Sequence, residues 1–151
     1  MSVFRAIHRY WASLMTLAVL VQIGFAGYGA FNAADKLGGG SIDEDTFQDG
    51  FGAHAALGTL LVLSGLLLLL FSFGTRSKSR ILWSLLAFGL LVGQMILGWT
   101  GGELPAVLGF LHPVNAVVIL GVLGSLTARM WREDRMMAAT TAPPAASPPP
   151  A

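Results

Sequence analysis

Residues 50–75 read GFGAHAALGTLLVLSGLLLLLFSFGT, a run without a charged side chain. It exceeds the ~20 apolar residues that a helix needs to cross about 30 Å of hydrocarbon. Polar and apolar residues do not alternate along it, as a half-buried strand requires. Leu, Val, Ala and Gly fall on every side instead, the pattern of a helix surrounded by lipid. On either side, residues 10–34, 81–102 and 104–128 are also uncharged. These four runs predict an all-α integral membrane protein. Its helices, at about 10–31, 51–73, 81–100 and 105–130, form an up-down-up-down bundle within a single domain, residues 1–137.

The charges lie between the runs and set the orientation, because Lys and Arg are retained on the cytoplasmic side. Arg5 and Arg9 precede the first helix, Arg76, Lys78 and Arg80 fill the turn between the second and third, and Arg129, Arg132 and Arg135 follow the fourth. Of the nine Lys and Arg only Lys36 falls on the other side, so both termini are expected in the cytoplasm. The outer side collects Asp35, Asp43, Glu44, Asp45, Asp49 and Glu103, and all four tryptophans fall near helix ends, as an interfacial aromatic belt does. A secretory signal has an apolar core of only ~7–15 residues, shorter than the run 10–34, so the first segment reads as a retained helix. Residues 138–151, AATTAPPAASPPPA, have nothing to bury and read as a disordered cytoplasmic tail. In the first outer loop, Gly38-Gly39-Gly40 precedes Ser41 and Asp43, either of which is suited to cap a helical extension into the second helix.

Composition excludes several classes. A net charge of +1 over 151 residues leaves no basic excess for nucleic-acid phosphates. The absence of cysteine removes disulfides, thiolate nucleophiles, iron–sulfur clusters, Cys-type zinc sites and covalent c-type haem attachment.

The first functional signal is a repeat. The first helix ends in Gln22-Ile23-Gly24-Phe25-Ala26-Gly27 and the third in Gln94-Met95-Ile96-Leu97-Gly98; the second opens with Gly50-Phe51 before His54, the fourth with Gly109-Phe110 before His112. The chain therefore reads as two tandem hairpins running the same way, related by an axis along the membrane normal. The second and fourth helices of such a bundle are diagonal and parallel, so His54 and His112 face one another at similar depth. The flat cofactor that fits between two such imidazoles is haem b with an axial histidine on each face. A structural pair, or a metal, quinone or proton site, is the alternative for intramembrane ionisable residues. Gly24, Gly27, Gly52, Gly58, Gly98 and Gly109 lie in the same outer half, where a porphyrin would approach the backbone. Gln22, Gln94 and Asn115 need partners at membrane depth, and either orient the imidazoles through their second ring nitrogen or bond one another across helices. Pro113, read as lying inside the fourth helix, predicts a kink beside His112. Gly89-xxx-Gly93 reads as a helix–helix contact, and His8, beside Arg5 and Arg9 without a repeat counterpart, as solvated.

The stretch Gln94 to Thr100 (QMILGWT), continuing through Leu104-Pro105 to Leu111-His112 and Ala116, resembles the Gln…Leu-Gly…Thr…Leu-Pro…His…Ala pattern of the haem A synthase family. Each half of that family's fold is a four-helix bundle with paired histidines on its second and fourth helices. The resemblance implies that His54 and His112 occupy the ligand positions of one such half. The chain has half that family's length and lacks its cysteine-bearing outer loop. As a whole, including GELPAVLGFLHPVNA at 102–116, it is more similar to a family of small four-helix bacterial membrane proteins of unknown function. That similarity implies this architecture in the bacterial inner membrane, and no reaction.

Three functions fit these residues. One is a haem-b protein of electron transfer or haem handling, which needs an external donor, a quinone or a partner subunit because one haem in the outer leaflet does not bridge the membrane. Another is a cofactor-free accessory subunit packed against a larger membrane complex. A small transporter or proton-linked protein is disfavoured, because no Asp, Glu, Lys or Arg lies within the apolar runs. Whether the chain is an enzyme stays open.

Overall fold

A computed structural model describes residues 3–37, 44–100 and 109–141. The elements found there are four helices: α1 Val3–Leu37, α2 Glu44–Gly74, α3 Lys78–Thr100 and α4 Leu111–Thr141. Each is long and apolar enough to cross a membrane.

The buried positions explain how they pack. They include His8, Ala12, Met15 and Val19 on α1, Leu61, Gly65, Leu68 and Ser72 on α2, Arg80, Ser84, Ala87 and Leu91 on α3, and Ile119, Leu123, Leu126, Met130 and Asp134 on α4. Steps of three and four residues are the seam spacing of a left-handed helical bundle. Leucine does not mark this seam, since Leu14, Leu17, Leu60, Leu63, Leu82 and Leu85 all point outward. Small and polar residues recur on it among larger apolar ones and let backbones approach closely.

Each helix packs on its chain neighbours, and α4 also packs on α1. Numbers rise on one helix as they fall on the next. Trp11 Nε1 donates to the Ser64 carbonyl at 3.0 Å, Gln22 Nε2 to that of His54 at 2.8 Å and Asn32 Nδ2 to that of Thr46 at 3.5 Å. Between α2 and α3 the chain reverses over Thr75–Ser77, with Arg76 in the left-handed region at φ 54° and Ser77 Oγ accepting from the Arg80 amide at 3.5 Å, as an N-cap does.

Helix ends differ from those expected, because the limits of an apolar run mark where charge begins and not where hydrogen-bonded helix stops. Helix α1 continues through Asp35 and Lys36, and α2 begins at Glu44, whose charge and that of Asp45 suit a helix N-terminus. Gly29 and Gly50 let the two extensions meet: a Cβ on Gly50 would stand 3.3 Å from the Gly29 Cα. Ser41 and Asp43 lie outside the described residues. Helix α4 starts at Leu111, so Pro113 is in its first turn, where backbone N–H groups have no intrahelical acceptor. A helix start thus replaces the expected mid-helix kink. At its other end α4 runs through Ala138–Thr141, the beginning of the expected tail, while residues 142–151 lie outside the described ones. Among the described residues Gly89 and Gly93 do not meet another helix. A Cβ added to either would find no neighbour within 4 Å, and both border an outward groove of about 570 Å³ between α3 and α4, lined also by Ile96, Leu97 and Val114.

Candidate functional site

The two repeat-related histidines meet. His54, on α2, and His112, the second residue of α4, have ring centroids 6.1 Å apart. Their planes are inclined at 55°, so face-to-face stacking does not explain the approach. His54 Nδ1 lies 3.1 Å from the backbone carbonyl of Gln22. A carbonyl only accepts, so Nδ1 carries a proton, and in the neutral ring the lone pair is on Nε2. The Phe51 ring stands edge-on to His54 at 6.2 Å, and is itself stacked on Phe47 at 4.8 Å.

His112 is held differently. Its Nδ1 is buried without a hydrogen-bond partner. The backbone of Gln94, the repeat counterpart of Gln22, faces the ring without closing that bond. Gly98 gives the ring its room: a Cβ there would stand 3.2 Å from Cε1 and 3.7 Å from Nδ1.

The three amides do not reach the imidazoles with their side chains. Gln22 Nε2 donates to the His54 main-chain carbonyl, and its Oε1 is buried and unpaired. Asn115 Nδ2 donates to Gln94 Oε1 at 2.8 Å and to the Leu90 carbonyl at 3.0 Å, so Gln94 and Asn115 bond one another across α3 and α4. The orienting group for a ring is therefore the Gln22 backbone. Gly24, Gly27, Gly52 and Gly109 border open space, whereas a Cβ on Gly58 would stand 3.1 Å from Gln22 Nε2.

No family model, curated protein or solved structure matches this chain. What the site can do is set by its own donor atoms. Among the described residues no group of three or more His, Asp or Glu is placed to hold a metal ion. A bare zinc ion asks for at least three protein ligands. A porphyrin supplies four nitrogens to its iron and asks the protein only for axial ligands. An imidazole nitrogen about 2 Å from a metal puts its ring centroid about 3.1 Å away, so two rings in line with one metal atom are about 6.2 Å apart. The observed 6.1 Å fits that separation.

A second polar cluster occupies the opposite end of the bundle, and it corrects the reading of His8. That side chain is fully buried, with Nε2 2.9 Å from Ser84 Oγ and Nδ1 3.0 Å from Met130 Sδ. Beside it, Arg9 Nη1 donates to Asp134 Oδ2 at 2.7 Å and Arg80 Nη2 to Glu133 Oε2 at 2.8 Å. Arg80 is 2% exposed. The Arg9 guanidinium lies over the Trp131 ring at 4.1 Å, and that of Arg129 over Trp83 at 4.6 Å. These charges were legible only as topology markers. The signal that finds them is the packing seam continued past the apolar runs, where His8, Arg80 and Asp134 fall on its spacing.

Proposed function

We propose that the chain is an integral membrane protein whose four helices run up-down-up-down with both termini in the cytoplasm. In this reading His54 and His112 are the axial ligands of one haem b near the outer face, in electron transfer or haem handling. The observation that carries it is the ring pair: repeat-related imidazoles at the separation one metal atom requires, one with its tautomer fixed so that Nε2 is the free donor. Bound haem supplies one-electron iron chemistry. The protein's part is to hold two imidazoles at a common depth, which α2 and α4 do from diagonal corners. Outward-facing leucines on every helix support lipid as the solvent. The end bearing Arg76, Lys78, Arg129, Arg132 and Arg135 reads as cytoplasmic, with the histidine pair at the other end. A quinone, an external donor or a partner subunit completes any electron path. The outward groove at Gly89 and Gly93 favours a second reading, an accessory subunit that receives a partner helix there.

The test is the visible spectrum of protein purified from haem-replete cells. A low-spin b-type spectrum, abolished or converted by His54→Ala and by His112→Ala, is the expected result. Folded, colourless protein defeats the haem assignment in favour of the accessory subunit. Because the chain lacks cysteine, single cysteines at 36 and 140 report topology; only position 36 should label from outside.

A further inference from the structure

We infer that the two histidines are unequal: His54 is the fixed ligand and His112 the exchangeable one, so that a neutral lone-pair donor such as imidazole or carbon monoxide enters on the His112 face. This rests on the haem reading above and concerns which side of the site opens.

His54 is restrained on both ring and backbone by a single residue. The Gln22 carbonyl accepts from its Nδ1 at 3.1 Å, while the Gln22 amide donates to its main-chain carbonyl at 2.8 Å. Phe51 closes a further side, packed where Gly29 offers no Cβ; an added Cβ there would stand 2.7 Å from the Phe51 ring. An N–H···O=C bond at one imidazole nitrogen fixes the tautomer, stops rotation of the ring and raises the basicity of the other nitrogen. Among the described residues His112 is held less firmly, with the Gln94 backbone facing its ring but closing no hydrogen bond. Its Nδ1 is buried and unpaired, its ring neighbour is a glycine, and the Gln94 side chain is engaged by Asn115. Loss of such an outer partner typically weakens a metal ligand about 10–100-fold. The His112 bond is accordingly the one that breaks, and the entering donor replaces its electron pair without change in oxidation state. A permanently closed pair suits electron transfer alone. One exchangeable side suits binding of a small ligand, or transfer of the haem to an imidazole on an acceptor, and so points the site toward haem handling.

The experiment compares His54→Gly with His112→Gly in the full chain. His112→Gly should retain haem through His54, read as five-coordinate, return to low spin on adding imidazole and bind carbon monoxide when reduced. His54→Gly should retain haem about 10-fold or more poorly. Equal retention, or better retention by His54→Gly, overturns the inference while leaving the haem site standing. Wild type without haem overturns the haem reading and the exchange with it. The inequality is read independently in haem-free wild type by nitrogen-15 NMR of labelled histidine. With the buried His8 ring assigned by its loss in His8→Ala, one of the two remaining rings locked as the Nδ1–H tautomer, surviving in His112→Gly, is expected, and equal locking of His54 and His112 refutes it. The same assignment holds if His54→Gly fails to fold.

Discussion

Removing the Asp134 carboxylate should destabilise the bundle more than any surface charge change. Asp134 Oδ2 accepts from Arg9 Nη1 at 2.7 Å, with the two side chains 6% and 9% exposed. Its Oδ1 stands 3.7 Å from Arg80 Nη2. After Asp134→Ala, Arg80 keeps Glu133 at 2.8 Å, whereas Arg9 keeps only the rings of Trp131 and Tyr10, at 4.1 and 4.7 Å. One buried guanidinium is stranded, not two. Breaking a buried pair costs about 3–5 kcal/mol, and the ring contacts of Arg9, present before and after the change, do not alter that difference. That is about a 100- to 4,000-fold shift in the unfolding equilibrium. Unfolding in mixed micelles by rising dodecyl sulfate, followed by far-UV circular dichroism, measures it. Arg9→Met combined with Asp134→Ala removes the stranded charge and should cost clearly less than the two single changes added. An Asp134→Ala loss under about 0.5 kcal/mol, the range of ordinary surface substitutions, would refute the reasoning.

His8→Ala should lower stability by about 2–4 kcal/mol, since it opens a cavity and leaves buried Ser84 Oγ without its 2.9 Å partner. The haem spectrum should be unchanged, because fourteen residues separate His8 from Gln22, about 21 Å of helix; a spectral change refutes the separation of the two sites. Gly98→Ala places a methyl 3.2 Å from His112 Cε1 and should tilt that ring, altering the haem spectrum or weakening retention with folding intact. An unaltered spectrum and retention would mean that Gly98 does not set the ring's position. Gln22→Leu and Gln94→Leu each remove a cross-helix bond and should cost about 0.6 kcal/mol in membrane stability. The midpoint potential should hold in both, because neither side chain touches a ring; a shifted potential in either variant restores the ring-orienting reading of the amides.

Helix number was legible because an uncharged run longer than a bilayer has few alternatives, and the histidine pair because two hairpins repeat Gln, then Gly-Phe, then His. Helix ends were not. Lys36, Glu44, Arg129, Arg132 and Arg135 continue a helix as readily as leucine does, and Asp35 and Asp134 do not stop one, so the apolar limits understate α1, α2 and α4. The packing face was hidden for a related reason. Leucine satisfies lipid and core alike, and only the small and polar residues, Ala12, Gly65, Ser72, Ser84 and Ala87, distinguish the two. Gly89 and Gly93 share that small-residue signature yet face outward, since the motif states that a close approach is possible without naming the helix that makes it.

The repeat predicts two equivalent histidines, and the reason their surroundings differ lies in how the helices are tied. Helix α2 is bonded to α1 along its length, at Trp11 with Ser64, Gln22 with His54 and Asn32 with Thr46, so α1 holds the segment carrying His54 on both sides of it. Helix α4 is fastened at the far end, by Asp134 to Arg9 and Glu133 to Arg80, and in its middle by Thr127 to Thr16 at 3.2 Å. Among the described residues its last side-chain hydrogen bond toward the histidine end is that of Asn115. His112 lies three residues beyond that tie, at the very start of its helix, with Pro113 able to form no backbone N–H bond between them. Duplicated sequence thus supplies the two imidazoles, and in the proposed haem reading the unequal fastening of α2 and α4 is what would make His54 the anchor and His112 the side that opens.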